Sequence, residues 1–168
     1  MKLKKKILAI VSGALLGSIP YAADLSPVGD LPLDYDGIGH QTTVAQRGEA
    51  NLLEARQAGF GQRIWSEQIG SGNQAVLRQS AAQHSLVVNQ QGSDNLAEIH
   101  QSGESNQASI VQVGSANSVQ LVQSGHANSF ASEQFGDRNR IEFEQSALGA
   151  RHVVRQEGNG MYARVVQR

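Results

Sequence analysis

The side chains best placed to do chemistry in this chain are amides. Gln46, Gln57, Gln68, Gln79, Gln90, Gln101, Gln112, Gln123, Gln134, Gln145, Gln156 and Gln167 stand 11 residues apart without one insertion or deletion. Five residues after most of them comes an asparagine: Asn51, Asn73, Asn95, Asn106, Asn117, Asn128 and Asn139, with Gln62, His84, Ala150 and Met161 at the departing positions. A carboxamide donates two hydrogen bonds and accepts at one oxygen, so burial is costly unless all of these find partners. Identical amides stacked at strand spacing meet that demand by bonding to one another up a column. The chemistry the spacing specifies is therefore hydrogen-bonded stacking.

Catalytic and metal chemistry finds less support. His40, His84, His100, His126 and His152 are scattered over four slots of the repeat and give no ligand spacing for a metal. Glu54, Glu98, Glu142 and Glu144 could act as acids and bases only if a cleft brought them together. No Gly-x-Ser-x-Gly turn presents a serine nucleophile. The chain holds no cysteine, which excludes disulfides and thiolate zinc sites. We assign no catalytic residue, no metal site and no cofactor.

The elements that must hold the amides follow from a second periodicity. In Asn95–Gln101 the residues Asn95, Ala97, Ile99 and Gln101 share one face of a strand, and the other face is polar. Leu86 with Val88, Ala108 with Ile110, and Ile141 with Phe143 repeat the inner pattern. Two residues after the glutamine stand Gly48, Gly59, Gly70, Gly92, Gly103, Gly114, Gly125, Gly136 and Gly158, with Ala81 and Ala147 as exceptions. Each unit is thus a strand of about seven residues and a four-residue glycine turn. A period of 11 also suits a right-handed helical coiled coil, but a glycine and an asparagine in nearly every unit oppose it.

The predicted fold is all-β: a β-solenoid, or cross-β stack, of about six 22-residue coils with two strands per coil, standing roughly 29 Å tall. An antiparallel β-meander is the alternative. The solenoid is preferred because it gives the amide register a purpose. It places Glu133 beside Arg155 and Glu142 beside Arg164, which is favourable, and Arg56 beside Arg78, which is not. Where an inner site shrinks to Ser66 or Ser132, the residue two earlier is the larger Ile64 or Phe130, keeping a thin core filled.

Three segments are expected. Residues 1–22 read as a secretory signal peptide, with Lys2, Lys4, Lys5 and Lys6 before the apolar run Ile7 to Ile19. Residues 23–40 form an acidic N-terminal segment with Asp24, Asp30, Asp34 and Asp36, and 41–168 the repeat domain of 11-residue half-repeats. Removing the four leader lysines leaves ten arginines against 15 acids, a net charge of −5. A lysine-free acidic chain is poorly suited to binding nucleic acid, and no such partner is required. Charge is uneven along the repeats: Gln79 to Ser132 contains no Arg or Lys, whereas the last 31 residues carry six arginines against three glutamates.

The leader, the acidic segment and the tandem unit Gln-x-Gly-x-x-Asn-x-Ala-x-x-x-Gln together resemble the curlin family, the subunits of bacterial curli amyloid fibres. The full unit stands as Gln90-Gly92-Asn95-Ala97-Gln101 and again as Gln101-Gly103-Asn106-Ala108-Gln112. Outward charges and the arginine-rich close "GNGMYARVVQR" are most similar to the minor, nucleating subunit. The resemblance implies a secreted protein at the bacterial cell surface that nucleates the major subunit into fibres and anchors them, supporting adhesion and biofilm. It implies as partners the major curlin, a dedicated outer-membrane secretion channel with accessory factors, and the outer surface of the cell. Arg151, Arg155, Arg164 and Arg168 are the candidate anchoring residues. A self-polymerising major subunit and a monomeric solenoid binding protein are the alternatives.

Overall fold

The computed structural model describes residues 8–13 and 39–168. The expected signal peptide and acidic segment lie outside these residues, apart from Leu8–Gly13 and the pair Gly39 and His40. The strands are β1 (Leu8–Gly13), β2 (Gln41–Glu49), β3 (Leu52–Phe60), β4 (Arg63–Ser71), β5 (Gln74–Ala82), β6 (Ser85–Ser93), β7 (Leu96–Glu104), β8 (Gln107–Ser115), β9 (Ser118–His126), β10 (Ser129–Phe135), β11 (Arg140–Leu148), β12 (Arg151–Glu157) and β13 (Tyr162–Gln167). No helix occurs among the described residues.

Even-numbered strands form one sheet in the order β12-β10-β8-β6-β4-β2, and odd-numbered strands the other, β1-β3-β5-β7-β9-β11-β13. Every pairing is parallel, and from β2 onward partners lie one 22-residue coil apart, as Gln46 opposite Gln68 and Gln57 opposite Gln79. This is a β-solenoid of six coils, β2–β3 through β12–β13, and the parallel register excludes the meander. β1 lies on the open edge of β3, with Leu8 opposite Leu52 and Gly13 opposite Gln57.

Parallel sheets are usually covered on both faces and read as continuous apolar runs. Here each sheet covers only the other, so one face is wet and the strands alternate. The core is a single inner row on each strand: Leu53 and Ala55, Ile64, Ala75 and Leu77, Leu86 and Val88, Ala97 and Ile99, Ala108 and Ile110, Val119 and Leu121, Phe130, and Ile141 and Phe143. The Phe130 and Phe143 rings meet across the sheets with centroids 4.3 Å apart. Beside these large residues, Ser66 and Ser132 are buried, and their hydroxyls find no hydrogen-bond partner. Each such desolvated hydroxyl costs about 1 kcal/mol or more.

On the wet face Glu133 reaches Arg155 at 3.7 Å and Glu142 reaches Arg164 at 3.8 Å. Arg56 does lie opposite Arg78. Each turns away to a carboxylate, Arg56 to Glu54 at 2.8 Å and Arg78 to Glu98 at 4.0 Å. Exposed pairs of this kind contribute at most about 1 kcal/mol, so they accompany the register without dictating it.

The strands differ from the sequence reading at both ends. Asn95 precedes its strand, and the ladder runs on through Gly103 to Glu104. The reason is that the bends stack as well. The Asp94 N–H donates to the Ser71 carbonyl at 2.9 Å, and the Gln74 N–H to the Asn95 carbonyl at 2.8 Å, so inter-coil bonding continues round the corners.

Candidate functional site

The glutamine slot closes the inner face of each strand. In the even sheet Gln68 donates through Nε2 to Gln90 Oε1 at 2.7 Å, Gln90 to Gln112 at 2.9 Å, Gln112 to Gln134 at 2.9 Å and Gln134 to Gln156 at 2.8 Å. Gln46 begins this column by donating to Gln68. The odd sheet carries a second column, Gln57 to Gln79 at 3.1 Å, then Gln101, Gln123, Gln145 and Gln167 in turn. All donate toward the coil that follows, so both columns are polar in the same sense.

The columns differ in how regularly they reach the facing sheet, which in the odd column is seen at Gln79, donating to the Arg63 carbonyl at 3.5 Å. The even-sheet amides use their second N–H on a carbonyl of the facing sheet, Gln90 on Gln74 at 2.9 Å and Gln112 on Leu96 at 3.1 Å. These bonds stitch the two sheets together across the coil.

The asparagines act differently from the ladder expected of them. Only Asn73 and Asn95 donate to the asparagine one coil earlier, at 3.1 and 3.0 Å. Their main partners are backbone. Asn95 Oδ1 accepts the Asn117 N–H at 3.1 Å, and Asn95 Nδ2 donates to the Gly114 carbonyl at 3.0 Å. Asn106 does the same to Asn128 N–H at 3.0 Å and the Gly125 carbonyl at 3.1 Å. A four-atom side chain is too short to lie along a column as glutamine does, and the bend brings backbone groups within its reach. Each asparagine is thus a clip from one coil onto the backbone of the next.

The departures follow the same chemistry. His84 is buried in the clip slot, its Nε2 2.7 Å from the Ser80 carbonyl while Nδ1 accepts the Asn106 N–H at 3.3 Å. An imidazole with one donor and one acceptor nitrogen replaces the amide. Gln62 donates to the Ala58 and Ala81 carbonyls at 2.7 and 3.1 Å, but its buried Oε1 is left without a partner. Ala150 and Met161 offer neither donor nor acceptor: they receive clips from Asn128 and Asn139 and pass none on.

The glycine slot is set by a close approach. A Cβ on Gly114 would stand 2.0 Å from the Gly136 carbonyl oxygen, and its φ is +125°. On Gly158, in the last coil, the nearest atom would be Met161 Sδ at 3.7 Å. The bare column of Gly48, Gly70, Gly92 and Gly114 leaves a shallow groove up one corner.

A second special position escaped the sequence reading. The residue before every clip slot is left-handed, with φ between +54° and +71°: Gly39, Ala50, Gly61, Gly72, Gln83, Asp94, Ser105, Ala116, Ala127, Arg138, Gly149 and Gly160. Seven of the twelve are not glycine, and Ala, Gln, Ser and Arg there carry no turn signal that would have found them.

The last coil closes the stack differently. His152, Val154, Ala163 and Val165 of its inner face are only half-buried, and no strand pairs beyond β12 or β13 among the described residues. Arg151 and Arg168 are exposed, while Arg155 and Arg164 lie beside Glu133 and Glu142. A hydrogen bond from Tyr162 holds the Glu142 carboxyl below its usual range, helped by Arg140 and Arg164. Asp137 is likewise lowered, by the Ser115 hydroxyl and N–H. Among the described residues no group of three His, Asp or Glu is arranged to hold a metal.

The arrangement suits the joining of coils end to end. Comparison with curated proteins and with solved structures returns no match. Among known families, the curlin associated repeat matches residues 92–125, from the end of β6 to the end of β9, and the same slots continue in register on either side. The repeat that builds this stack is similar to the curlin associated repeat.

Proposed function

We propose that this chain is the minor subunit of an extracellular curli fibre, nucleating polymerisation of the major curlin and anchoring the fibre to the cell surface. The match to the curlin associated repeat supports a fibre subunit, acting as structure rather than as a catalyst. The minor role rests on one observation: the clip slots, filled through β11, are vacated at Ala150 and Met161 in the coil that also gathers Arg151, Arg155, Arg164 and Arg168. A chain built only to extend itself has no use for a last coil unlike the rest. The regular, nearly uncharged coils offer a template, because an exposed strand edge recruits further strands. The arginine-rich end favours an anionic surface or an anchoring factor. Secretion would proceed through signal cleavage near residue 22 and a dedicated outer-membrane channel that reads residues 23–40.

A seeding assay tests this. Sub-stoichiometric amounts of the chain, added to the major subunit, should shorten the lag before thioflavin-positive growth; an unchanged lag defeats the nucleating role. A form truncated after Gln145 should still seed but should be lost from the cell surface, and retention at the surface would remove the anchoring half. The regularity of β7 through β9 favours a second reading, a self-polymerising major subunit, which instead requires rapid assembly alone and normal fibres with no second curlin present.

A further inference from the structure

The hydrogen bonds between coils have a direction. Each glutamine donates to the glutamine one coil later, and each clip grips an N–H 22 residues later and a carbonyl 19 residues later. A stack whose glutamine columns and clips are all oriented alike has two unlike ends. We infer that the first coil, β2–β3, is the templating face, and that it takes a repeat subunit whose own last coil carries amides in both clip slots, in preference to a second copy of this chain. The inference deepens the reading of the chain as a fibre nucleator by naming the face and the partner chemistry.

The first coil presents what an arriving clip needs. Asn51 clips onto the Asn73 N–H and the Gly70 carbonyl. The Asn51 N–H and the Gly48 carbonyl hold the same two places one coil earlier, ready for a clip from a preceding coil. Gln46 Oε1 is buried with no partner, at the head of a column in which every later oxygen accepts from the coil before it. In the other column the Thr42 hydroxyl already fills that role, donating to Gln57 Oε1 at 2.9 Å. β1 on the edge of β3 marks this edge as one that accepts a parallel strand. Residues 8–13 fall in the leader expected to be cut on export, which frees the edge.

The last coil presents the reverse. A second copy stacked head to tail would set its Ala150 above the His40 slot and its Met161 above the Asn51 slot, and neither side chain can clip. Only Gln156 and Gln167 would reach across. A subunit with asparagine in both slots brings three further hydrogen bonds to described residues, to the His40 and Asn51 N–H groups and the Gly48 carbonyl, and at about 0.5–1.5 kcal/mol each two of them favour it by about tenfold.

The chain has no cysteine, so single thiols report the geometry directly. Thr43 and Val153 lie in one outward column, through Trp65, Val87, Ser109 and Ala131, so head-to-tail stacking makes them neighbours. Both proteins are used in the form expected after export, from residue 23 onward and so without β1, and the double variant A150N/M161N serves as the clip-bearing partner. Unmodified chain carrying T43C is mixed with the double variant carrying V153C, and in the second arm the thiols are exchanged. Cross-linking in the first arm should exceed the second by about tenfold; equal yields overturn the inference. The double variant should also assemble alone at about a tenfold lower concentration than the unmodified chain, and no fall overturns it too. If the double variant lacks the parent's circular dichroism, A150N alone carries one clip, and a bias above about threefold decides the question. Seeding that fails while the cross-link bias holds defeats the nucleator and leaves the polarity standing; seeding that succeeds with equal cross-linking does the opposite.

Discussion

The coil β8–β9 and the coil β12–β13 share a period, a ladder register and paired glutamines, Gln112 with Gln123 and Gln156 with Gln167. They differ in nearly everything else. Asn106 and Asn117 lead the strands of the first, Ala150 and Met161 those of the second. Ala108, Ile110, Val119 and Leu121 are buried, while His152, Val154, Ala163 and Val165 are half open. The first coil has no arginine. The second coil nevertheless keeps its place, gripped by Asn128 and Asn139 of the coil before it, which teaches that a coil can form without clip residues of its own. The clip residue belongs to the relation between coils: what it decides is how firmly the next one is held.

The glycine slot should break the comparison most sharply. Gly114→Ala drives a Cβ into the Gly136 carbonyl and should cost at least about 4 kcal/mol, splitting the stack in its middle. Gly158→Ala meets only Met161 Sδ at van der Waals distance and bears the strain of its φ, about 1–3 kcal/mol. Urea unfolding of the two variants measures the gap, and similar midpoints would mean that crowding is not what reserves the slot. Removing a clip comes next. Asn95→Ala leaves the Asn117 N–H and the Gly114 carbonyl buried without their side-chain partner and should cost about 3 kcal/mol. Asn139→Ala frees partners in the half-open coil, where water replaces the amide, and should cost about 1 kcal/mol. Thermal melts would read the difference, and equal losses would place the clips' value within a coil. The smallest effect is a gain. Ala116→Gly relieves a left-handed alanine and should stabilise by about 1 kcal/mol, whereas any loss would show that this alanine's methyl is needed.

Much of the architecture is legible in the chain because two periods, 11 and two, are superimposed without a gap. The inner rows, the two-strand coil and the neighbours Arg56 with Arg78 or Trp65 with Val87 all follow from counting. The strand ends do not, since Gly103 reads as a turn although it sits in a continuous ladder. The partners of the asparagines were also hidden: a ladder of like side chains and a clip onto backbone place the same residue at the same spacing, and only the side chain's reach separates them. His84 is one of five histidines without metal-ligand spacing, yet its ring nitrogens stand in for an amide. Ala116 and Ala127 occupy left-handed backbone with side chains that advertise nothing.

Those left-handed residues bear on when the chain folds. A lone coil carries the strain of two such corners and has no neighbour whose N–H and carbonyl groups its clips can grip. The first coil is therefore steeply unfavourable, and each later one is eased by the coil already standing. Because stability in such arrays is a sum over nearest neighbours, initiation is rare and extension is quick. A subunit arriving at a finished face escapes the initiation step altogether. The alanines and serine at these corners thus raise the barrier to the first coil and leave later coils to close where another is already standing.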